Sequence, residues 1–137
     1  MLVERWAFRA IPQAAMEARR ATRQLVERTG ADPAALPSIV LCVTEAVANV
    51  VTHAYRNERE PGQVELEASR PTGTLCVSVR DRGCGMAPRE DSPGAGLGLG
   101  LISTLATRVS IRPVAPRGTE LVMRFDVGEH GERAGAS

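Results

Sequence analysis

The chain has no lysine: all 17 of its basic residues are arginine. That absence excludes several chemistries at once. A Walker A loop needs its lysine on the phosphates, and protein kinases of the common fold need a strand lysine. Neither can operate here, nor can a Schiff-base lysine. Aromatic residues are also scarce, with one tryptophan, one tyrosine and two phenylalanines, so the core must be aliphatic. Cys42, Cys76 and Cys84 are odd in number and show no Cys-x-x-Cys spacing, so reduced thiols are expected and a zinc site is not. No run of about 18 apolar residues marks a membrane span. The charged start Met1-Leu-Val-Glu-Arg-Trp6 reads as a strand and not as a secretory signal. A cytoplasmic protein without a membrane partner is the expectation. Neither sign of charge is in excess: the net is +1, which argues against nucleic acid as a direct partner.

What is present fits one compact domain. The 137 residues are 43% apolar, and a chain of this size buries about two-thirds of its unfolded surface. The domain is expected over 1–127, with 128–137 a flexible tail. Residues 2–11 alternate roughly and predict a first strand. From Pro12 to Thr29 the positions Ala14, Ala18, Ala21, Leu25 and Val26 recur at helical spacing, and Gly30 ends the helix. Asp32-Pro33 is a cap-and-first-turn signal for a second helix running to about His53, with Pro37 placing its regular part from near Ser38. That helix is apolar nearly all round, as a buried helix is. Strands follow at 63–70 and 74–80 around Pro71-Thr-Gly73, then a Gly/Pro-rich loop over 81–96. A third helix over Leu97–Thr107 and strands near 108–114 and 119–127 complete the chain. Without regular β-α alternation, an α+β sandwich is favoured over a doubly wound sheet.

Three clusters carry candidate chemistry. Glu45 and Asn49 lie four apart and project from one helix face. A carboxylate and an amide so placed can hold a divalent metal. Magnesium keeps several waters, so one amide oxygen plus nucleotide phosphates is enough protein for it, leaving Glu45 to polarise a hydroxyl or a water. An exposed stripe of Thr44, Glu45, Thr52 and Tyr55 would produce the same pattern. His53 continues the face, where the helix dipole alone would favour a histidine. Asp81 precedes Gly83 and Gly85. Asp-x-Gly is a common turn, but it also lets backbone approach a flat base while the carboxylate accepts from an exocyclic amine. Gly94, Gly96, Gly98 and Gly100 alternate at the start of a helix. Four glycines in seven residues are costly in chain entropy, and backbone amides there can receive phosphate oxygens. The spacing is not the Rossmann fingerprint.

With these clusters in this order, the chain resembles the GHKL ATPases, the superfamily of gyrase, Hsp90, histidine kinases and MutL. Within it the chain is most similar to anti-sigma factor serine kinases. The resemblance spans roughly residues 8–127. It is carried by Glu45-Ala-Val-Ala-Asn49-Val-Val-Thr-His53-Ala-Tyr55, Asp81-Arg-Gly-Cys-Gly85-Met86, Gly94 to Leu101, and Arg117-Gly118-Thr119-Glu120. It implies a Bergerat fold: a two-layer α+β sandwich with a mixed, mostly antiparallel sheet under about three helices. It also implies ATP and Mg2+ as cofactors, with Asn49 on the metal and Glu45 as catalytic base. Asp81 would bond the adenine amino group with Thr119 in support. Gly83, Gly85 and Met86 would shape the base pocket. Gly94, Gly96, Leu97 and Gly98 would meet the nucleotide, with His53 in the same nucleotide-binding set.

The partners so implied are an anti-anti-sigma (STAS-type) protein, phosphorylated on serine, and a sigma factor held by the kinase. A homodimer is a family tendency. One departure stands out: only ten residues separate Gly85 from Gly96, with Arg89 their sole basic residue. Phosphoryl transfer depends on positioning and on neutralising γ-phosphate charge. The intact Glu45 favours a kinase, and the short lid favours a silent, ATP-gated binding module. A histidine-kinase catalytic domain ranks third here, because no dimerisation helix precedes Met1.

Overall fold

The computed structural model describes residues 2–71, 73–84 and 99–128. Strand β1 (Leu2–Arg9) leads to helix α1 (Gln13–Thr29) and then α2 (Leu36–Asn49). Strands β2 (Gln63–Arg70) and β3 (Thr74–Asp81) form a hairpin, and α3 (Leu99–Leu105) precedes β4 (Arg108–Pro113) and β5 (Thr119–Asp126). The sheet order is β1-β2-β3-β5-β4, and each neighbouring pair is antiparallel. The sheet is therefore wholly antiparallel among the described residues, where a mixed one was expected. The α+β sandwich itself is as anticipated.

Side-chain alternation divides the sheet into two faces. Val64, Leu66 and Ala68 of β2, Leu75, Val77 and Val79 of β3, and Leu121, Met123 and Phe125 of β5 are all buried. Against them lie Ala14, Ala18, Ala21 and Leu25 of α1 and Ile39, Val43, Val47 and Val50 of the α2 segment. The small residues of α1 let it pack closely on α2. The opposite sheet face carries Arg5, Glu65, Glu67, Ser78, Arg80 and Arg124 and is covered by no helix among the described residues.

Helix ends follow their local chemistry. Gly30 adopts φ 72°, the left-handed cap that stops α1, and the Arg70 guanidinium bonds the carbonyl of Thr29. Asp32 caps a short 3₁₀ turn over Pro33–Ala35 through the Ala34 amide at 3.0 Å. Pro37 sits in the first turn of α2, where no amide is required. The α-helical pattern stops at Asn49 and continues as a π-turn over Val50–Ala54, a widening often found at functional sites. The segment Pro33–Ala54 is long and apolar enough to cross a membrane by composition alone. In this fold its apolar side lies on the sheet and α1.

Candidate functional site

β3 ends at Asp81, opposite Thr119 of β5 and Val64 of β2. By alternation the Asp81 side chain shares the inner face with Val77 and Val79, and its accessibility is 0%. Its Oδ1 accepts from the Gly83 amide at 2.9 Å. Its Oδ2 is buried with no hydrogen-bond partner among the described residues. Burial pushes the carboxyl above the usual range, and the amides of Gly83 and Thr119 and the charge of Arg117 offset this only in part. An unsatisfied buried acceptor costs about 1–3 kcal/mol. An apolar face that retains such a group has an acceptor ready for a donor from outside.

The turn after Asp81 is pinned to the end of the α2 segment. The Cys84 amide donates to the Ala54 carbonyl at 2.7 Å, and Cys84 Sγ lies 3.3 Å from the carbonyl oxygen of His53. A Cβ at Gly83 would overlap that same Ala54 carbonyl, so glycine is demanded by close backbone approach. Tyr55 then ties three segments together. Its hydroxyl donates to the Gln63 carbonyl at 2.6 Å and accepts from the Arg82 amide at 3.0 Å. Burial, foremost, raises its phenol, which keeps the proton for that donation.

Along the helix, Asn49 is buried, while Glu45 and His53 are half-buried. At about 1.5 Å per residue, Glu45 lies about 6 Å back from Asn49 along α2, and His53 follows in the π-turn. The row leads away from the Asp81 turn, which meets the helix at His53 and Ala54. Glu45 has no ion-pair partner among the described residues. The alternative exposed stripe does not exist: Tyr55 is buried and only Thr52 of that set is fully exposed.

Two of the three clusters therefore meet, at the Ala54–Cys84 junction, and Thr119 joins them across the β3–β5 ladder. Gly85, Met86, Gly94, Gly96, Leu97 and Gly98 lie outside the described residues, as does Arg89. Gly100, in the first turn of α3, is exposed. Sequence reasoning missed three supports. Tyr55 was read as part of a motif or of an exposed stripe, Gly118 as half of a Gly-Thr pair, and Glu120 only as the last residue of that motif, with no role. The signal for Gly118 was its place one residue before a strand. Its φ is 130°, and a Cβ there would strike the Asp81 carbonyl oxygen.

A second feature flanks the row. A groove of about 380 Å³ runs between α1 and α2, lined by Arg19, Arg23, Leu36, Val40, Leu41 and Thr44. Leu41 is 43% exposed. Arg19 and Arg23 are exposed and have no carboxylate partner among the described residues.

An open antiparallel sheet under helices, with a buried aspartate at the end of its middle strand, places the chain among the α+β sandwiches. The model of the histidine kinase-like ATPase domain matches residues 8–125, and the chain belongs to that family. It is 31% identical over 104 residues to the sensor histidine kinase PdtaS of Mycobacterium tuberculosis, covering 69% of this chain and 20% of that protein. The Mycolicibacterium smegmatis counterpart is 30% identical, over 71% of this chain and 21% of the relative. The chain thus spans about a fifth of the length of these relatives. In fold it is similar to the structure of the RsbU and RsbW domains of Rv1364c from M. tuberculosis (TM-score 0.71, 24% identity, 93% of this chain and 33% of that one). It is also similar to the histidine kinase domain of the Erythrobacter litoralis blue-light activated histidine kinase EL346 (TM-score 0.57, 19% identity, 86% and 61%).

Proposed function

We propose that this domain binds Mg-ATP and acts as an anti-sigma regulator, transferring the γ-phosphoryl group to a serine of an anti-anti-sigma protein and holding a sigma factor otherwise. The observation that carries the nucleotide reading is Asp81: a fully buried carboxylate with an unfilled oxygen, beside Thr119, at the end of the helix bearing Glu45 and Asn49. The likeness to a structure containing an RsbW domain supports the anti-sigma assignment.

The residues present fit the ligand. Asp81 Oδ2 would accept from the adenine amine, and Thr119 would support that edge. Asn49 would hold Mg2+ through its side-chain oxygen, and the bound ion supplies neutralisation of phosphate charge. Glu45 would accept the serine proton as the serine Oγ bonds phosphorus and the bond to the ADP oxygen breaks. The groove beside α1 would receive the protein substrate. Its apolar floor, with Arg19 and Arg23 that pair with no carboxylate among the described residues, is complementary to a segment pairing aliphatic with acidic side chains.

A second reading is favoured by one observation, that the curated relatives are sensor histidine kinases. Purified protein mixed with γ-labelled Mg-ATP and candidate acceptor proteins separates the two. Acid-stable phosphoserine on an anti-anti-sigma protein, absent with Glu45→Ala, is the expected result. Acid-labile phosphohistidine on a kinase acceptor instead would select the second reading. Nucleotide binding without transfer to any acceptor would leave a silent ATP-gated module.

A further inference from the structure

Alternation in β5 places Glu120, Val122 and Arg124 on the sheet face that no described helix covers, where charged side chains ordinarily meet water. Arg5, Glu65, Glu67, Arg80, Arg82 and Arg112, the other ion-paired residues beside it, each keep 35% or more of their side-chain surface exposed. Glu120 keeps 5%. It is enclosed by arginines from both neighbouring strands. Arg80 of β3 donates to Oε2 at 2.7 Å, and Arg112 of β4 donates from Nε to Oε1 at 2.6 Å. Desolvation on its own would raise the Glu120 carboxyl, but the two arginines outweigh it and hold it below the usual range.

Its place in the ladder gives this clamp a consequence. Arg80, Glu120 and Arg112 form one rung across three strands, and Asp81, Thr119 and Pro113 form the next. Successive residues face opposite ways, so the clamp lies directly behind Asp81 and Thr119, one peptide bond away on each strand. A buried ion pair is weak as a source of stability and better attested as a device that sets register. Register is what this end of the sheet requires. β4 is an edge strand, Gly118 brings backbone against the Asp81 carbonyl, and the desolvated Asp81 carboxylate favours any opening that admits water.

We propose that Glu120 is a positioning residue for base recognition: by gripping Arg80 and Arg112 it holds the three strands at the spacing where Asp81 and Thr119 meet one purine edge. This rests on the nucleotide reading above. Wild type, Glu120→Gln and Arg112→Ala are titrated with ATP and with ITP, whose ring carries an oxo group in place of the adenine amine. Wild type should prefer ATP by about tenfold or more, as one hydrogen bond to a charged group implies. In either variant the preference should shrink to less than about threefold, through weaker ATP binding at unchanged ITP affinity.

Arg112 is 67% exposed on an edge strand, so its truncation leaves a folded protein if Glu120→Gln does not. Proportional loss for both nucleotides would mark a merely structural role and overturn the proposal, as would a wild-type ratio in both variants. Hydrogen exchange at the Gly83 amide, without nucleotide, gives an independent readout. It should quicken in Arg112→Ala, and unchanged protection would count against the clamp. Should wild type bind neither nucleotide, the nucleotide reading fails and the exchange measurement alone decides the clamp.

Discussion

The Asp81 carboxyl titrates above the usual range because the fold buries it, with only the Gly83 and Thr119 amides and the Arg117 charge in compensation. Between its unfolded and folded pKa values the native state holds the proton more tightly than the unfolded chain. Stability therefore falls as pH rises through that window and stays lower at neutral pH. Asp81→Asn removes the charge while keeping an acceptor for the Gly83 amide. It should melt at an equal or higher temperature than wild type at pH 7, and the difference should vanish below the ordinary aspartate value of about 3.9. ATP affinity should drop about 10- to 100-fold in the same variant. Melts across pH together with nucleotide titration check both halves, and a variant less stable than wild type at neutral pH would contradict the first. The thiols make a second contrast at this scale. Burial pushes Cys42 up to about 11, whereas Cys84 is exposed beside the His53 carbonyl. A thiol reagent at pH 8 should modify Cys84 in seconds to minutes and leave Cys42 untouched until denaturant is added. Peptide mapping of the labelled sites decides it.

Among the elements, the junction of the α2 segment with the Asp81 turn sets the geometry of the site. Gly83→Ala would drive a methyl into the Ala54 carbonyl, and because that atom is backbone the turn itself has to move. A cost of about 1–3 kcal/mol is expected, typical of overpacking. Lifting the turn would also break the Cys84–Ala54 hydrogen bond and swing Asp81 off Thr119, so ATP affinity should fall with stability, unlike in Asp81→Asn. Chemical denaturation beside nucleotide titration tests that pairing. This junction also marks what could be read from sequence. The strands at 63–70 and 74–80 and the helix stop at Gly30 were legible, because they depend on period-2 alternation and on one left-handed glycine. Asp81 and Thr119 could be picked out as candidates because each sits in a short motif, and the ladder pairs them. Hidden were the π-turn at Val50–Ala54, the three-way tie through Tyr55 and the burial of Glu120. Each depends on partners far away in the chain: Tyr55 meets Arg82 across 27 positions, and Glu120 meets Arg80 across 40. That every pair of described strands is antiparallel was likewise not readable, since strand order is decided by how the segments pack.

At the scale of the whole molecule, the row of Glu45, Asn49 and His53 and the α1–α2 groove adjoin at Thr44 and Glu45, and mutation can test them separately. Arg19 and Arg23 stand on α1, the far wall of the groove, and make no ion pair with any described residue. Reversing both charges in Arg19→Glu/Arg23→Glu should leave ATP affinity within about twofold of wild type, because exposed charges in the groove are screened by physiological salt. The same variant should lose about tenfold or more in kcat/KM for a protein acceptor with an acidic docking segment, since unlike charges steer encounter and like charges repel. Glu45→Ala predicts the opposite division: ATP and acceptor still bind, and transfer falls about 10²- to 10⁴-fold, the usual span for a lost general base. Measuring nucleotide affinity, acceptor affinity and single-turnover transfer on both variants separates the roles. If charge reversal spares the acceptor reaction, the groove is not its docking surface. If Glu45→Ala transfers phosphate at the wild-type rate, the proton leaves the serine by another route.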